Sequence, residues 1–571
     1  MAPASHTSKP VRKGILISEL HGQVYGLKAN QLRRLRNLYK RRLPRERMVS
    51  QEFARALCEL SHETGRQVGA LVDRNGCVEY VMIGDAHQIE LPDFKRVRGG
   101  AGRFRGLRCI HTHLNGESLT RDDLTDLALL RLDAMIALEV DESGLPEQAH
   151  YASMRPPDNS GETTLGYPPR PPAQLEFDFL DWIEDLEQQF AIGQKGVDTD
   201  GTSDRAVLVT LALGRDDYAD ERHEEMKELA RTAGVAIVDE VRQRRSRPDP
   251  RYLIGRGKIQ DVVIRAWQLG ANLVLFDHDL SPAQIRHITD LVEERIVDRT
   301  QLILDIFAQH ARTKEGRLQV ELAQLKYRLP RLAGQGESMS RLAGGIGGRG
   351  PGETKLEVDR RRVRDRIRRI EKELATVARQ RATQRARRNR DALPVLSIVG
   401  YTNAGKSTLL NRLTQSEVIA QDKLFATLDP SSRRLRFPRE REVIVTDTVG
   451  FIRDLPPDLV AGFRATLEEI EDASVLLLVS DLSDPAVESH IESVRATLKE
   501  LELDGKPECL ILNKCDRLSE AESLRLAHRL GGIPVSALTG QGLAEMLEAV
   551  EELAFPGPEG FSGRLRVSES A

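Results

Sequence analysis

Eight consecutive residues, Gly400-Tyr401-Thr402-Asn403-Ala404-Gly405-Lys406-Ser407, have the spacing G-x(4)-G-K-S. These residue types suit the wrapping of a polyphosphate: glycines admit close backbone approach, successive N–H groups face the charge, Lys406 reaches the β- and γ-phosphates and the Ser407 hydroxyl holds Mg²⁺. Four more stretches follow in the chain. Phe425-Ala426-Thr427-Leu428-Asp429 offers Thr427 as a second Mg²⁺ ligand. Asp447-Thr448-Val449-Gly450 puts a carboxylate where it binds Mg²⁺ through water and an amide, Gly450, where it senses a γ-phosphate; alone it also reads as an ordinary turn. Asn513-Lys514-Cys515-Asp516 ends in a carboxylate that accepts two hydrogen bonds from the N1–H and 2-amino edge of guanine, which adenine lacks. Each such charge-assisted bond is worth roughly 1.5–3 kcal/mol, enough to select GTP. Ser536-Ala537-Leu538 could turn backbone N–H groups toward the guanine O6 and carries almost no weight by itself.

Elements that could position these groups are legible around them. Apolar Val395 to Val399 and a helical Thr408 to Leu413 flank the phosphate loop. Val443 to Val445, Cys509 to Leu512 and Ile533 to Val535 read as strands, each ending at a motif. The order and spacing of the five pieces resemble a translation-factor-type GTPase domain. That resemblance implies GTP hydrolysis with Lys406, Thr427 and Gly450 as the catalytic groups and Mg²⁺ on Ser407 and Thr427. Phe451 stands where many GTPases carry a water-orienting glutamine, so slow intrinsic turnover is expected. Asn403 resembles an asparagine that in some bacterial GTPases helps hold K⁺, although hydrogen bonding within the loop is its plainer role.

The chain has 571 residues, room for three or four domains, and its 30% charged and 4% aromatic content points to a soluble, helix-rich α/β protein. Net charge is −3, so any nucleic-acid contact must come from local basic faces. No long apolar run suggests a membrane span, the N-terminus lacks a signal-peptide core, and five scattered cysteines give no disulfide framework; a cytoplasmic monomer is expected. The expected order is an N-terminal α/β extension over 1–155, a linker over 156–203, a βα-repeat domain over 204–300, a helical hairpin over 301–392, the P-loop GTPase domain over 393–554, and a tail over 555–571.

Within the extension, Val68 to Val72 and Cys77 to Ile83 predict a β-hairpin turning at Asn75-Gly76, and Gln31 to Arg42 a basic amphipathic helix. His111-Thr112-His113 follows a strand, with Asp123 ten residues beyond. This part resembles the JAMM metalloprotease fold, also seen in RadC-like proteins. The distance after the histidines is one residue short, Thr120 stands in the serine position, and no upstream glutamate can be assigned. Zn²⁺ on His111, His113 and Asp123 is therefore the less favoured reading beside hydrogen-bonded loop residues. The proline-rich run from Met154 to Pro172 reads as an extended linker.

The middle of the chain alternates strand and helix, predicting a parallel sheet, and Gly255-Arg256-Gly257-Lys258 reads as a turn opening a helix. Leu318, Leu322, Leu325 and Leu329, then Leu356, Val363, Ile367, Ile370, Leu374 and Val377, form two apolar stripes that should zip as an antiparallel helical hairpin with a Gly-rich tip. Lys355 through Arg390 carries 15 Lys or Arg against 5 Asp or Glu, an excess suited to a phosphate backbone. The phrases Arg247 to Lys258, Leu280 to Gln284, Ile303 to Gln309, Gln319 to Leu325 and Gly344 to Glu357 are similar to those of the HflX family of ribosome-associated GTPases over about 204–554. The resemblance implies binding to the large ribosomal subunit and its RNA, and splitting or rescue of stalled ribosomes. His310 departs from an expected arginine. Two rival readings are a metalloenzyme regulated by its GTPase domain and a scaffold that binds GTP without cleaving it.

Overall fold

A computed structural model describes residues 19–92, 104–156, 162–195, 204–214, 218–292, 294–311, 313–331, 351–388, 393–414, 431–437, 441–448, 450–453 and 470–555. Three sheets follow one another along the chain. The first is mixed and contains β1 (Leu20–Gly22), β2 (Val68–Asp73), β3 (Val78–Ile83), β4 (Leu107–His113), β5 (Ala134–Val140), β6 (Pro146–Met154) and β7 (Thr164–Arg170), in spatial order β1-β3-β2-β4-β5-β6-β7. Helices α1 (Ala29–Asn37) and α2 (Gln51–Thr64) cover one face, where Leu35, Phe53 and Leu57 share a core with Val68, Ile110 and Ile136. The β2–β3 hairpin closes through a four-residue loop, 74–77, in which Gly76 has φ +80° and donates its N–H to Asp73 O at 3.0 Å. A side chain there would overlap the Leu43 carbonyl, so both the left-handed backbone and the packing demand glycine.

The other face of this sheet meets α3 (Arg121–Leu129) and α4 (Phe179–Lys195). Here the structure corrects the expected linker over 156–203. β7 pairs antiparallel with β6, Tyr151 opposite Tyr167, and α4 buries Ile183, Leu186 and Phe190. The prolines of β7 lie on an edge strand, where a missing N–H breaks no ladder bond. Phe179, Ile183, Leu186 and Phe190 repeat at four, three and four, a helical stripe that the proline count obscured.

The second sheet holds β8 (Asp204–Leu213), β9 (Val235–Arg245), β10 (Leu273–Phe276) and β11 (Arg295–Val297) in order β11-β10-β8-β9, all parallel. Val207, Leu208 and Val209 are all fully buried, as expected of a parallel strand covered on both faces by helices. Those helices are α5 (Ala219–Ala233), α6 (Arg256–Gln268) and α7 (Pro282–Leu291), and α6 starts from the Gly255 turn. Ile264 and Trp267 of α6 enter the core formed by Leu127, Met154 and Phe190, the Trp267 ring lying 4.9 Å from Phe190. The N-terminal unit is thus seated on the middle domain.

Next come α8 (Arg299–His310), α9 (Lys314–Arg328) and α10 (Pro351–Arg388). Leu318, Leu322 and Ile370 are buried between α9 and α10, flanked by ion pairs Glu321–Arg366 at 2.7 Å and Lys326–Glu371 at 2.9 Å. Asp298 roots this assembly: buried, it caps α8 through Gln301 N at 3.0 Å and accepts from the Tyr327 hydroxyl and from Arg331 at 3.2 Å. The glycine-rich tip lies outside the described residues except for its start on α10.

The third sheet contains β12 (Val395–Gly400), β13 (Ser431–Arg436), β14 (Glu442–Asp447), β15 (Val475–Asp481), β16 (Glu508–Asn513) and β17 (Ile533–Pro534) in order β13-β14-β12-β15-β16-β17. Only β13, paired with β14, runs antiparallel to its neighbour in this sheet. With α11 (Lys406–Thr414), α12 (Val487–Glu500), α13 (Glu520–Leu530) and α14 (Leu543–Ala554) it forms an α/β domain. The carboxyl ends of β12, β14 and β16 deliver the motifs to one edge of the sheet, where ligands of open α/β sheets bind.

Candidate nucleotide site

Gly400 ends β12 with φ +153°, and a side chain on it would overlap the Val479 carbonyl oxygen of β15. Gly405, φ +86°, is confined in the same way by the Asn513 amide. Between them Asn403 takes a left-handed conformation, φ +59°, which asparagine tolerates better than most residues. α11 starts at Lys406, so the loop closes onto a helix N-terminus whose free N–H groups and dipole favour an anion.

Lys406 is buried, and its ammonium donates to the carbonyls of Gly400 at 3.1 Å and Tyr401 at 2.7 Å. Burial lowers its pKa to about 8, with Asp447 pulling the other way. Ser407 Oγ donates to Asp447 Oδ2 at 2.7 Å, so the two groups expected to face Mg²⁺ converge on one point. This oxygen pair fits Mg²⁺, which prefers few protein ligands and keeps several waters. Gly450 lies beside them; a Cβ there would be 3.0 Å from Lys406 Nζ. Two backbone bonds, Thr402 N to Phe451 O at 2.9 Å and Phe451 N to Gly400 O at 3.0 Å, tie this segment to the phosphate loop.

The base-reading side is held by Asn513. Its Nδ2 donates to Ala404 O and its Oδ1 accepts from Ala537 N, both at 2.9 Å, so one amide joins three motifs. Lys514, φ +63°, reaches Asp481 Oδ2 at 2.7 Å. Beyond it Cys515 is buried and Asp516 exposed, and Leu538 is 75% exposed while Ser536 is buried and accepts from Thr539 N at 3.1 Å. Asp516 and Leu538 therefore stand open to a purine. Phe425, Ala426, Thr427, Leu428 and Asp429, together with Val449, lie outside the described residues.

Phe451 is buried in a core shared by Tyr401, Ile452 and Ile470 of this domain and Ile303 and Phe307 of α8. Its ring is committed to packing and offers the attacking water neither donor nor acceptor. Sequence reasoning treated Tyr401 as one of four unspecified loop positions, and it proves to be a junction. Its hydroxyl donates to Glu225 of α5 and accepts from Arg453 N at 3.1 Å, and its ring stacks on His490 with centroids 3.9 Å apart. Arg299 of α8 bridges Glu225 at 2.7 Å and the Arg453 carbonyl at 3.0 Å, while Arg453 reaches Glu221 at 3.3 Å. The available signal was a bulky aromatic inside a phosphate loop, together with acids four residues apart on a neighbouring helix.

A second cluster lies away from the nucleotide site. β4 presents His111 and His113 from one face, and the first turn of α3 supplies Asp123. The structure brings all three together: His111 Nε2 lies 3.0 Å from His113 Nε2 and 3.2 Å from Asp123 Oδ1, and His113 Nε2 lies 3.5 Å from Asp123 Oδ2.

Three family profiles match, described as GTP-binding GTPase N-terminal over residues 220–308, GTP-binding GTPase Middle Region over 310–388 and 50S ribosome-binding GTPase over 395–514. The chain is 48% identical over 374 residues to GTPase HflX of Caldanaerobacter subterraneus subsp. tengcongensis, covering 66% of this chain and 84% of that one. GTPase HflX of Escherichia coli is 45% identical over 353 residues, 61% of this chain and 82% of that one. A solved GTP-binding protein of Sulfolobus solfataricus in complex with GDP is 26% identical, covers 62% of this chain and 98% of its own, and superposes with a TM-score of 0.35. Sequence identity rather than that superposition carries the relationship.

Proposed function

We propose, from the premise that the chain belongs to the HflX family of GTPases, that it docks on the large ribosomal subunit and uses GTP hydrolysis to time its release, in ribosome splitting or rescue or in ribosome biogenesis. It is a GTPase, and nucleotide binding follows from the site described above. In hydrolysis, water attacks the γ-phosphorus and the bond to the β–γ bridging oxygen breaks. Lys406 and the α11 N-terminus oppose the charge that builds on the phosphoryl oxygens, and Ser407 and Thr427, with Asp447 through water, would hold a Mg²⁺ that would supply further positive charge there.

One observation supports the coupling most directly. The phosphate loop and the segment after Asp447 are bonded through Tyr401 and Arg453 to Glu225 and Arg299 of the middle domain. That domain roots α9 through Asp298 and Tyr327, and α9 packs on α10. A change at the γ-phosphate therefore has a route of hydrogen bonds and packed side chains to the helix that exposes Arg361, Arg362, Arg364, Arg368, Arg369 and Lys372. Such a row suits ribosomal RNA, in keeping with the 50S ribosome-binding description of the matching profile. Phe451 leaves water positioning to a partner, so hydrolysis is slow alone and stimulated by the ribosome.

Co-sedimentation with ribosomal subunits tests this reading. The large subunit should carry the protein with a non-hydrolysable GTP analogue and release it with GDP, and charge reversal at Arg361, Arg364 and Arg368 together should abolish pelleting while leaving nucleotide affinity intact. Equal pelleting with either nucleotide would overturn it. No described helix is long and apolar enough to cross a membrane.

A further inference from the structure

Residues 28–47 of the N-terminal unit carry nine lysines or arginines against one acid, Glu46, in a chain whose net charge is −3. We propose that this face binds the phosphate backbone of a structured RNA, as a contact separate from the basic row of α10. None of the matching family profiles reaches it, the first beginning at residue 220. The contact would stand whether or not α10 meets the ribosome.

Local structure sorts the side chains of this stretch. α1 turns Gln31 and Leu35 inward, and Leu38 follows at the start of a single 3₁₀ turn, Leu38–Lys40. Leu35 and Leu38 join the core of Phe53 and Leu57. Arg33, Arg36 and Lys40 repeat at three and four on the opposite side of the helix, and all three are exposed. Beyond them the chain is pinned to the unit: Leu43 N donates to Gly76 O and Phe179 N to Glu46 O, both at 2.8 Å, while Leu43 and Met48 are buried. Arg41, Arg42 and Arg45 are exposed on that fixed base.

Their charge is left unmatched. Among the described residues, Arg34 is the one cation of the nine that forms an ion pair, with Glu63 and, at 3.4 Å, Glu59. Arg41 donates to the Glu52 carbonyl at 3.2 Å and Arg42 to the Asn75 carbonyl at 3.3 Å, contacts that orient a guanidinium without cancelling its charge. Elsewhere in the same unit arginines face acids: Arg55 meets Glu59 at 2.8 Å, and Arg74 meets Asp133 and Glu187, each at 2.7 Å. A face that only keeps the protein in solution gains from mixed signs, whereas gathered like charges repel until a polyanion neutralises them.

The kind of polyanion follows from the side chains. Seven of the nine cations are arginines, whose planar fork grips phosphate oxygens in pairs. A membrane surface would need an apolar face to insert, and the leucines Leu35 and Leu38 are turned into the core. Tyr25, three residues before Lys28, is 92% exposed and offers a ring on which an unpaired base can stack. Structured RNA presents such splayed bases beside duplex backbone, which favours it over DNA.

Fluorescence anisotropy with a labelled RNA hairpin tests this without ribosomes, so its outcome is separate from that of co-sedimentation. The protein used is full-length and already carries the charge reversals at Arg361, Arg364 and Arg368, which remove the α10 row. It should still bind the hairpin, with an affinity that falls steeply between about 50 and 200 mM KCl. Adding Arg33→Glu, Arg36→Glu and Lys40→Glu should weaken binding about tenfold or more and lower the log–log salt slope by about 2–3, since each neutralised phosphate contributes about 0.9. Tyr25→Ala should weaken binding about fivefold with the slope unchanged, as a lost stack does. GTP hydrolysis and far-ultraviolet dichroism should match the parent in both. Should the glutamate variant fail to fold, Arg33→Gln, Arg36→Gln and Lys40→Gln decide by the same fall in slope. No binding at about 50 mM KCl, or an unchanged slope in the cation variants, would overturn the assignment. So would tighter binding of the DNA hairpin of the same sequence, or displacement of the RNA by polyglutamate or phosphatidylserine vesicles as effectively as by unlabelled hairpin, which would mark an acidic protein or a membrane as the partner.

Discussion

Lys406 is buried with its ammonium on two loop carbonyls, and burial holds its pKa near 8, below the usual 10.5. Between those two values the unfolded chain binds more protons than the folded one, so this group makes nucleotide-free stability rise with pH across that window. Phosphate restores the charged form, and nucleotide binding should take up protons above pH 8. The uptake from Lys406 should be small at pH 7 and grow as the pH passes 8. Calorimetry of GDP binding in buffers of different ionisation enthalpy measures it; uptake that does not grow with pH would show that Lys406 stays charged throughout. Asp516, exposed just beyond Asn513, is the residue we propose reads the base. Asp516→Asn should weaken GTP binding by about a hundredfold, from the loss of charge-assisted bonds worth roughly 1.5–3 kcal/mol each, and improve binding of xanthosine triphosphate, measured by competition.

Among the elements, the junction of α5, α8 and the phosphate loop is the sensitive one. The Glu225–Arg299 pair is largely buried, with side-chain exposures of 13% and 6%. Removing one partner of a buried pair costs about 3–5 kcal/mol, because the remaining charge is stranded, so Glu225→Ala should lower stability by that order. The double variant Glu225→Ala, Arg299→Ala should recover part of the loss in denaturant unfolding; strict additivity would mean that the two charges act separately. Tyr401→Phe should spare the stacking on His490 and remove the hydroxyl's links to Glu225 and to the Arg453 N–H, so it should reduce ribosome stimulation of hydrolysis more than intrinsic GDP affinity.

At the scale of the whole molecule, the N-terminal unit covers Trp267 and Ile264 on α6. The chain has two tryptophans, Trp182 in that unit and Trp267 in the middle domain. A protein beginning at residue 204 should therefore report on one ring, with red-shifted emission and a greater tendency to self-associate. A large aromatic buries on the order of 150–250 Å², so the exposed patch forfeits roughly 4–6 kcal/mol of burial at about 25 cal/mol per Å². Unshifted emission would mean that Trp267 finds cover without the N-terminal unit.

Much of the nucleotide site was legible from sequence because its constraints are local. A phosphate loop needs Gly400 and Gly405 where a side chain would strike a neighbouring strand, a lysine and a hydroxyl at fixed offsets, and an apolar strand leading in. The heptad stripes of α9 and α10 were readable for the same reason, since helical periodicity is a property of the chain itself. Convergence was not readable. That Tyr401 meets Glu225 and that a proline-rich segment completes a sheet edge depend on packing that no local pattern records. Side-chain type constrains which partners are possible, but only packing of the elements sets which pairs come within bonding distance.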